Sequence, residues 1–206
     1  MKVAIFGASS ASGKLLVEKS LAKGHEVTAF VRDETKLGIT NPHLKVICGD
    51  ALNAAQVEEA VKGTDAVLST LGPRGKPAVM TAQSTRNIVD AMEKHDVKRL
   101  VVVSVAGIPV AQDQRGKNFV SSLIKLFLKD VFVDRENQLA VLESSKVEWI
   151  AVRVSRLTDD VAKGWVKPFF GNPSPSLKVT RSDLADFMLD QLTSDQWLRQ
   201  APIISN

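Results

Sequence analysis

Apolar residues in this chain fall into short runs separated by stretches with helical spacing. Met1-Lys2-Val3-Ala4-Ile5-Phe6 predicts a strand, and Leu16, Val17 and Leu21 mark one face of a helix ending near Gly24. Glu26 to Val31 predicts a second strand and Leu44 to Cys48 a third. Asn53 is placed to cap a helix that turns Val57, Ala60 and Val61 inward and closes at Gly63. Asp65 to Thr70 reads as strand four, Val79 to Lys94 as a helix, and Arg99 to Ser104 as strand five. The unbroken apolar character of Arg99 to Ser104 suits a strand covered on both faces. Helices around Phe119 to Leu128 and Asp134 to Ser145 precede strand six, Trp149 to Val154. The βαβαβ order predicts an α/β fold, a Rossmann-like doubly wound parallel sheet with helices on both faces.

Ligands of such sheets lie beyond the carboxyl ends of the strands. The first of these ends carries Gly7-Ala8-Ser9-Ser10-Ala11-Ser12-Gly13, a turn of small residues opening a helix. Gly7 permits a tight turn, small side chains admit a pyrophosphate to the backbone, and Gly13 allows the helix to pack closely on the strand. The helix start adds free N–H groups and a partial positive charge. Ser9, Ser10 and Ser12 offer further hydroxyl donors. Ser10 stands where the fingerprint has its central glycine, so a positive φ there would be strained. Strand two ends in Arg32, with Lys36 one turn on. A guanidinium there suits a 2′-phosphate, whereas the adjacent Asp33 is the acid an NAD-type site would use. Because Arg32 directly follows the last apolar residue, the sequence favours NADPH/NADP. By the strand-end rule Asp50, Leu71-Gly72, Ser104 and the loop after Val154 also meet the coenzyme.

Composition narrows the chemistry. The chain has 206 residues, 44% hydrophobic and 24% charged, which fits one domain spanning 1–206. The formal charge of +4 is scattered, with no Lys/Arg block, so no nucleic-acid partner is expected. Neither a signal peptide nor a membrane span is expected, and the lone Cys48, in an apolar run, reads as an inert strand residue of a cytoplasmic protein. His25, His43 and His95 are scattered, so no metal site is expected. There is no Gly-x-Ser-x-Gly elbow.

Several segments resemble the atypical short-chain dehydrogenase/reductases: Val3 to Ala8, Val31-Arg32-Asp33 and Gly49-Asp50-Ala51-Leu52. Within that group the chain is most similar to the biliverdin-IXβ reductase/flavin reductase branch and its bacterial members, through Ala151 to Asp159 and Val179 to Leu189. The resemblance covers the whole chain. It implies bound NADPH and reduction of a small planar acceptor: a flavin, a linear tetrapyrrole such as biliverdin, or a quinone. By resemblance, Arg32 meets the 2′-phosphate and Asp50 the adenine edge, Leu71, Gly72 and Arg74 flank the nicotinamide half, and Ser104 ends strand five as the family hydroxyl. Thr35, Ala51 and Leu157 complete the candidate coenzyme set. Two positions depart from the biliverdin-IXβ type, Val105 for a serine and Arg156 for a histidine.

The chain contains no tyrosine, so a Tyr-x-x-x-Lys proton donor is absent, and with it epimerase chemistry. A conjugated acceptor can take hydride without such a donor. Arg156 is then the candidate cation for charge developing on the acceptor, and Ser104 the candidate orienting group. The competing readings are an ion pair of Arg156 with Asp159 or Asp160 and a strand-end cap at Ser104. Residues 107–133, with Gln112 to Lys117 and the stripe Phe119, Val120, Leu123, Ile124, Phe127 and Leu128, and residues 155–178 read as substrate-lid insertions. Trp165, Phe169 and Phe170 either stack on a planar ligand or close the fold. A monomer or weak homo-oligomer is expected. The rival function is a non-catalytic NADP-sensing regulatory protein.

Overall fold

The computed structural model describes residues 1–72, 80–113, 129–171 and 176–206. The predicted helix at Phe119 to Leu128 and the candidate Arg74 lie outside them.

The strands predicted from the apolar runs pair into one sheet. They are β1 (Lys2–Phe6), β2 (Glu26–Val31), β3 (Leu44–Cys48), β4 (Ala66–Ser69), β5 (Arg99–Val105) and β6 (Glu148–Val154). Two pieces that the sequence did not announce follow, β7 (Leu157–Thr158) and β8 (Lys167–Phe169), then β9 (Val179–Thr180) and β10 (Ile203–Ser205). The order is β3-β2-β1-β4-β5-β6-β10-β8, with β7 and β9 forming a separate pair. Neighbours in the large sheet run parallel except β8, which is antiparallel to β10. The chain therefore reverses direction across the sheet between β1 and β4, the switch point where such sheets open a crevice.

Side-chain alternation on β1 shows why both faces are covered. Val3 and Ile5 point to α1 (Ala11–Ala22) and to a helix near the C-terminus, Arg181–Asp190, through Leu16, Val17, Leu184 and Met188. Ala4 and Phe6 point the other way, to α2 (Ala54–Val61), α3 (Thr81–Lys94) and α4 (Lys129–Ser144), through Val57, Ile88, Met92 and Leu142. The Arg181–Asp190 helix is α5. Asn53 caps α2 as expected, its side chain accepting from the amides of Ala55 and Gln56 at 3.1 and 3.3 Å.

Three expectations gain detail. Residues 129–133, within the insertion expected at 107–133, are helical and belong to α4, with Asp130 in its first turn. Phe169 lies in β8 and the Phe170 ring packs on Trp197 with centroids 5.8 Å apart, so these rings close the fold, while Trp165 stays exposed. Cys48 is in a strand but exposed, because β3 is the sheet edge and buries only Ile47.

The loops beyond β6 are held by buried carboxylates. Asp183 at the start of α5 accepts from the amides of Lys163 and Gly164, each at 2.9 Å, and from the Thr180 hydroxyl at 2.7 Å. Burial opposes its ionisation, but these donors and Asn206 outweigh it and hold the carboxyl below its ordinary range. A depressed carboxylate contributes stability above its unfolded pKa of about 3.9 and loses it as pH falls through the folded value. Urea midpoints of the wild type should fall as pH drops below about 4, and Asp183→Asn should flatten that slope while lowering stability at neutral pH. Parallel acid profiles for the two proteins would refute this assignment.

Candidate functional site

The turn after β1 is built around two glycines. Gly7 takes φ 77°, and a Cβ there would lie 2.9 Å from Thr70 Oγ1. A Cβ on Gly13 would lie 2.1 Å from Gly7 O, so only glycine lets α1 seat against the turn. Ser10 is the N-cap of α1. It has φ −73° and ψ 162°, and its Oγ accepts from the Gly13 amide at 3.0 Å. The strain feared for a serine here does not exist, since Ser10 is in ordinary extended backbone. Its hydroxyl also contacts Thr70 Oγ1 at 3.2 Å. The cap uses the Gly13 amide and leaves those of Ala11 and Ser12 at the helix start without an intrahelical acceptor.

This turn forms one side of a cavity. Gly7, Ser9 and Ser10 line it together with Phe30, Val31 and Arg32 at the end of β2, and with Gly49, Asp50 and Ala51 after β3. Thr70, Leu71, Gly72 and Met80 close the β4 side. Eight of the sequence candidates are thus brought together: Gly7, Ser9, Ser10, Arg32, Asp50, Ala51, Leu71 and Gly72. Gly13 backs the turn from below. Ser12 is buried within α1, and Ser12, Thr35, Ser104, Arg156 and Leu157 are not in the lining.

Electrostatics at the β2 end separate Arg32 from Asp33. Asp33 accepts from Thr35 Oγ1 at 2.6 Å and from its amide at 3.1 Å, and it pairs with Lys36 at 3.3 Å. The Thr35 hydroxyl, foremost, holds its carboxyl below the ordinary range. Asp33 and Thr35 are therefore spent on one another. Arg32 is exposed, and among the described residues its guanidinium makes no hydrogen bond or ion pair.

At the opposite end, Ser104 is 2% exposed and its Oγ has no partner among the described residues, so it caps nothing there. Arg156 is exposed beyond β6. Its two candidate partners are engaged elsewhere, Asp159 by Arg181 at 2.7 Å and Asp160 by Lys178 at 2.8 Å. Among the described residues Arg156 makes no close ion pair, yet its charge joins Lys178 and Thr158 in holding the Asp160 carboxyl below its ordinary range, Lys178 foremost.

Sequence reasoning missed the support behind the cavity. Asp134 on α4 accepts from the amides of Thr81 and Ala82 at 2.9 and 3.1 Å, supplying the cap that Met80 cannot. Asn87 Nδ2 donates to Ala51 O at 2.9 Å. Arg135 reaches Leu71 O at 3.1 Å. The available signal was polar residues on the inward stripes of α3 and α4, legible only once the helix phase is known.

The residues fit a dinucleotide: a glycine cradle that a Cβ would fill and, among the described residues, two helix-start amides and a guanidinium without partners. Among the described residues no group of three or more His, Cys, Asp or Glu side chains could hold a metal, and no helix is long and apolar enough to cross a membrane.

A family model described as NAD(P)H-binding matches residues 7–195. An uncharacterized protein of Mycobacterium tuberculosis is 23% identical over 98% of this chain, and the chain spans 21% of that relative's length. Among solved structures, an anaerobillin reductase from Escherichia coli O157:H7 superposes with TM-score 0.82 at 20% identity, covering 100% of this chain and 97% of the other. A short-chain dehydrogenase/reductase of Veillonella parvula in complex with NADP gives TM-score 0.80 at 19% identity, covering 100% and 94%. At such identities the superpositions show a shared fold and nothing finer.

Proposed function

The chain belongs to the NAD(P)H-binding family, and from that premise we propose that it is an NADPH-dependent reductase passing hydride to a flat conjugated acceptor, a flavin, tetrapyrrole or quinone. The observation that carries this reading is the free Arg32 guanidinium on the rim of a glycine-backed cavity, beside an Asp33 already engaged by Thr35.

The amides of Ala11 and Ser12 would hold the diphosphate, Arg32 the 2′-phosphate and Asp50 the adenosine edge. Bound there, the reduced coenzyme supplies a hydride. Leu71 and Gly72 support the nicotinamide half, and the buried, unpartnered hydroxyl of Ser104 at the end of β5 orients the reacting groups. Arg156, exposed beyond β6 and within electrostatic reach of Asp160, offers positive charge to an acceptor gaining electrons. With no tyrosine in the chain, the acceptor's proton comes from solvent.

The test follows loss of reduced-nicotinamide absorbance with FMN, riboflavin, biliverdin and a quinone. Turnover with at least one acceptor is expected, and Arg156→Ala should lower kcat/KM about tenfold, the usual size for one charge acting at a partly wet site. Tight coenzyme binding with no oxidation across all acceptors would overturn the reductase reading in favour of an NADP sensor. Unchanged kcat and KM in Arg156→Ala would remove Arg156 from the mechanism.

A further inference from the structure

Arg135 is a buried cation with no ion-pair partner among the described residues. It is 3% exposed on α4, among the described residues. Its Nη1 donates to Val103 O at 2.8 Å and to Gln138 Oε1 at 2.9 Å, and its Nη2 to Leu71 O at 3.1 Å. Its Nε has no acceptor among the described residues. The neighbouring Asp134 is held by the amides of Thr81 and Ala82. Burial lowers the Arg135 pKa to about 10, which leaves the group charged at neutral pH.

The Asp134 carboxylate offsets only part of the burial, so keeping this charge among carbonyl and amide acceptors is costly, and a well-packed apolar side chain would be cheaper for stability. Such a charge marks a functional candidate when it borders a cleft. This one does. Leu71 and Gly72 line the cavity, and a Cβ on Gly72 would lie 3.9 Å from Arg135 Nη2. The guanidinium stands directly behind the wall at the β4 end. Arg32 and Asp50 stand at the other end, after β2 and β3. A dinucleotide spans the crevice from one half of the sheet to the other, so with its adenosine end at Arg32 its nicotinamide half extends toward Leu71–Gly72.

We propose that Arg135 biases this site toward the reduced coenzyme. The nicotinamide ring is neutral when reduced and cationic when oxidised, so a fixed cation behind the wall opposes only the oxidised form. Attraction to the phosphates is the same for both forms and cancels in the ratio of their dissociation constants. The site then fills with NADPH and sheds NADP⁺. By linkage, the bound couple is less reducing by the same factor. This inference rests on the coenzyme site proposed above and is independent of the acceptor.

Calorimetric titration of NADPH and NADP⁺ into the wild type, Arg135→Met and Arg135→Lys tests it. The wild type should bind NADPH roughly tenfold more tightly than NADP⁺, and Arg135→Met should bring the two constants together. Equal affinities in the wild type would overturn the proposal. So would an unchanged ratio in Arg135→Met, even with both affinities weakened, because that is the mark of a purely structural role. Should Arg135→Met not fold, Arg135→Lys decides. A buried lysine gives up its proton at lower pH than arginine, so its preference for NADPH should fade at alkaline pH where the wild type keeps its own. A ratio in Arg135→Lys that stays at the wild-type value at every pH, including where the lysine is neutral, would overturn the proposal. Binding of neither coenzyme would refute the coenzyme site itself, whereas failure to reduce any acceptor would leave this inference standing.

Discussion

Arg153→Met should lower the unfolding free energy by about 3–5 kcal/mol, the range for breaking one side of a buried ion pair. Arg153 lies in β6 with no exposed surface, and its guanidinium grips Asp113 through Nη1 at 2.8 Å and Nη2 at 2.7 Å. It also donates to Ala201 O at 2.6 Å and Ile108 O at 2.8 Å. Asp113 in turn accepts from the amides of Val110 and Gly171 at 3.1 and 3.0 Å. One side chain therefore ties β6 to the loop after β5, to the segment after β8 and to the C-terminal strand. Methionine fills the volume but leaves a carboxylate and two carbonyls without their donor. Urea unfolding of Arg153→Met and of Arg153→Met/Asp113→Asn separates the charge from the packing. The double variant should recover part of the loss, because it removes the unpaired carboxylate. A loss of about 1 kcal/mol or less in the single variant, as at an exposed pair, would refute the assignment.

What the sequence made legible follows from which signals are local. β2 and β3 match their predicted bounds, and β1 and β4 to β6 fall within a residue of theirs, because an apolar run between turn residues needs no partner to be read. Leu44–Cys48 shows the limit of that signal. The run is apolar, yet only Ile47 is buried, since edge position depends on strand order and not on composition. The cradle at Gly7 to Gly13 was legible because its chemistry is written in consecutive residues. The geometry at Ser10 was not, since a missing glycine can mean strain or simply a cap. Arg153 and Arg135 were the least legible. Each is one arginine in an otherwise apolar stripe, and its meaning lies in carbonyls and carboxylates 32 to 64 residues away in the chain. Trp165, Phe169 and Phe170 look alike as sequence, but only pairing of β8 with β10 and the Phe170–Trp197 contact separate the two that close the fold from the one left exposed.

Gly13→Ala should weaken coenzyme binding by about 100-fold, a loss of about 2.7 kcal/mol. The added Cβ would sit 2.1 Å from Gly7 O, 2.8 Å from Ala8 Cα and 2.9 Å from Ala8 C. All three are backbone atoms, so no side chain can swing aside, and either α1 or the turn must move. Movement of α1 draws the Ala11 and Ser12 amides away from the cavity and breaks the Ser10 Oγ bond to the Gly13 amide. Movement of the turn displaces Gly7, which already holds φ 77° against Thr70. Either way, several donors aimed at one phosphate group lose their shared aim together, which is why one methyl group costs so much. Gly72→Ala is the control on the same cavity. Its Cβ would meet Arg135 Nη2 at 3.9 Å, an ordinary contact, so its melting temperature should stay near wild type. The coenzyme should raise the melting temperature of the wild type but not of Gly13→Ala, a readout that needs only a cooperative melt, while Gly72→Ala controls for the stability cost of an added methyl group. An affinity for Gly13→Ala within about threefold of wild type would mean that the phosphates are held elsewhere, and the cradle would lose its role.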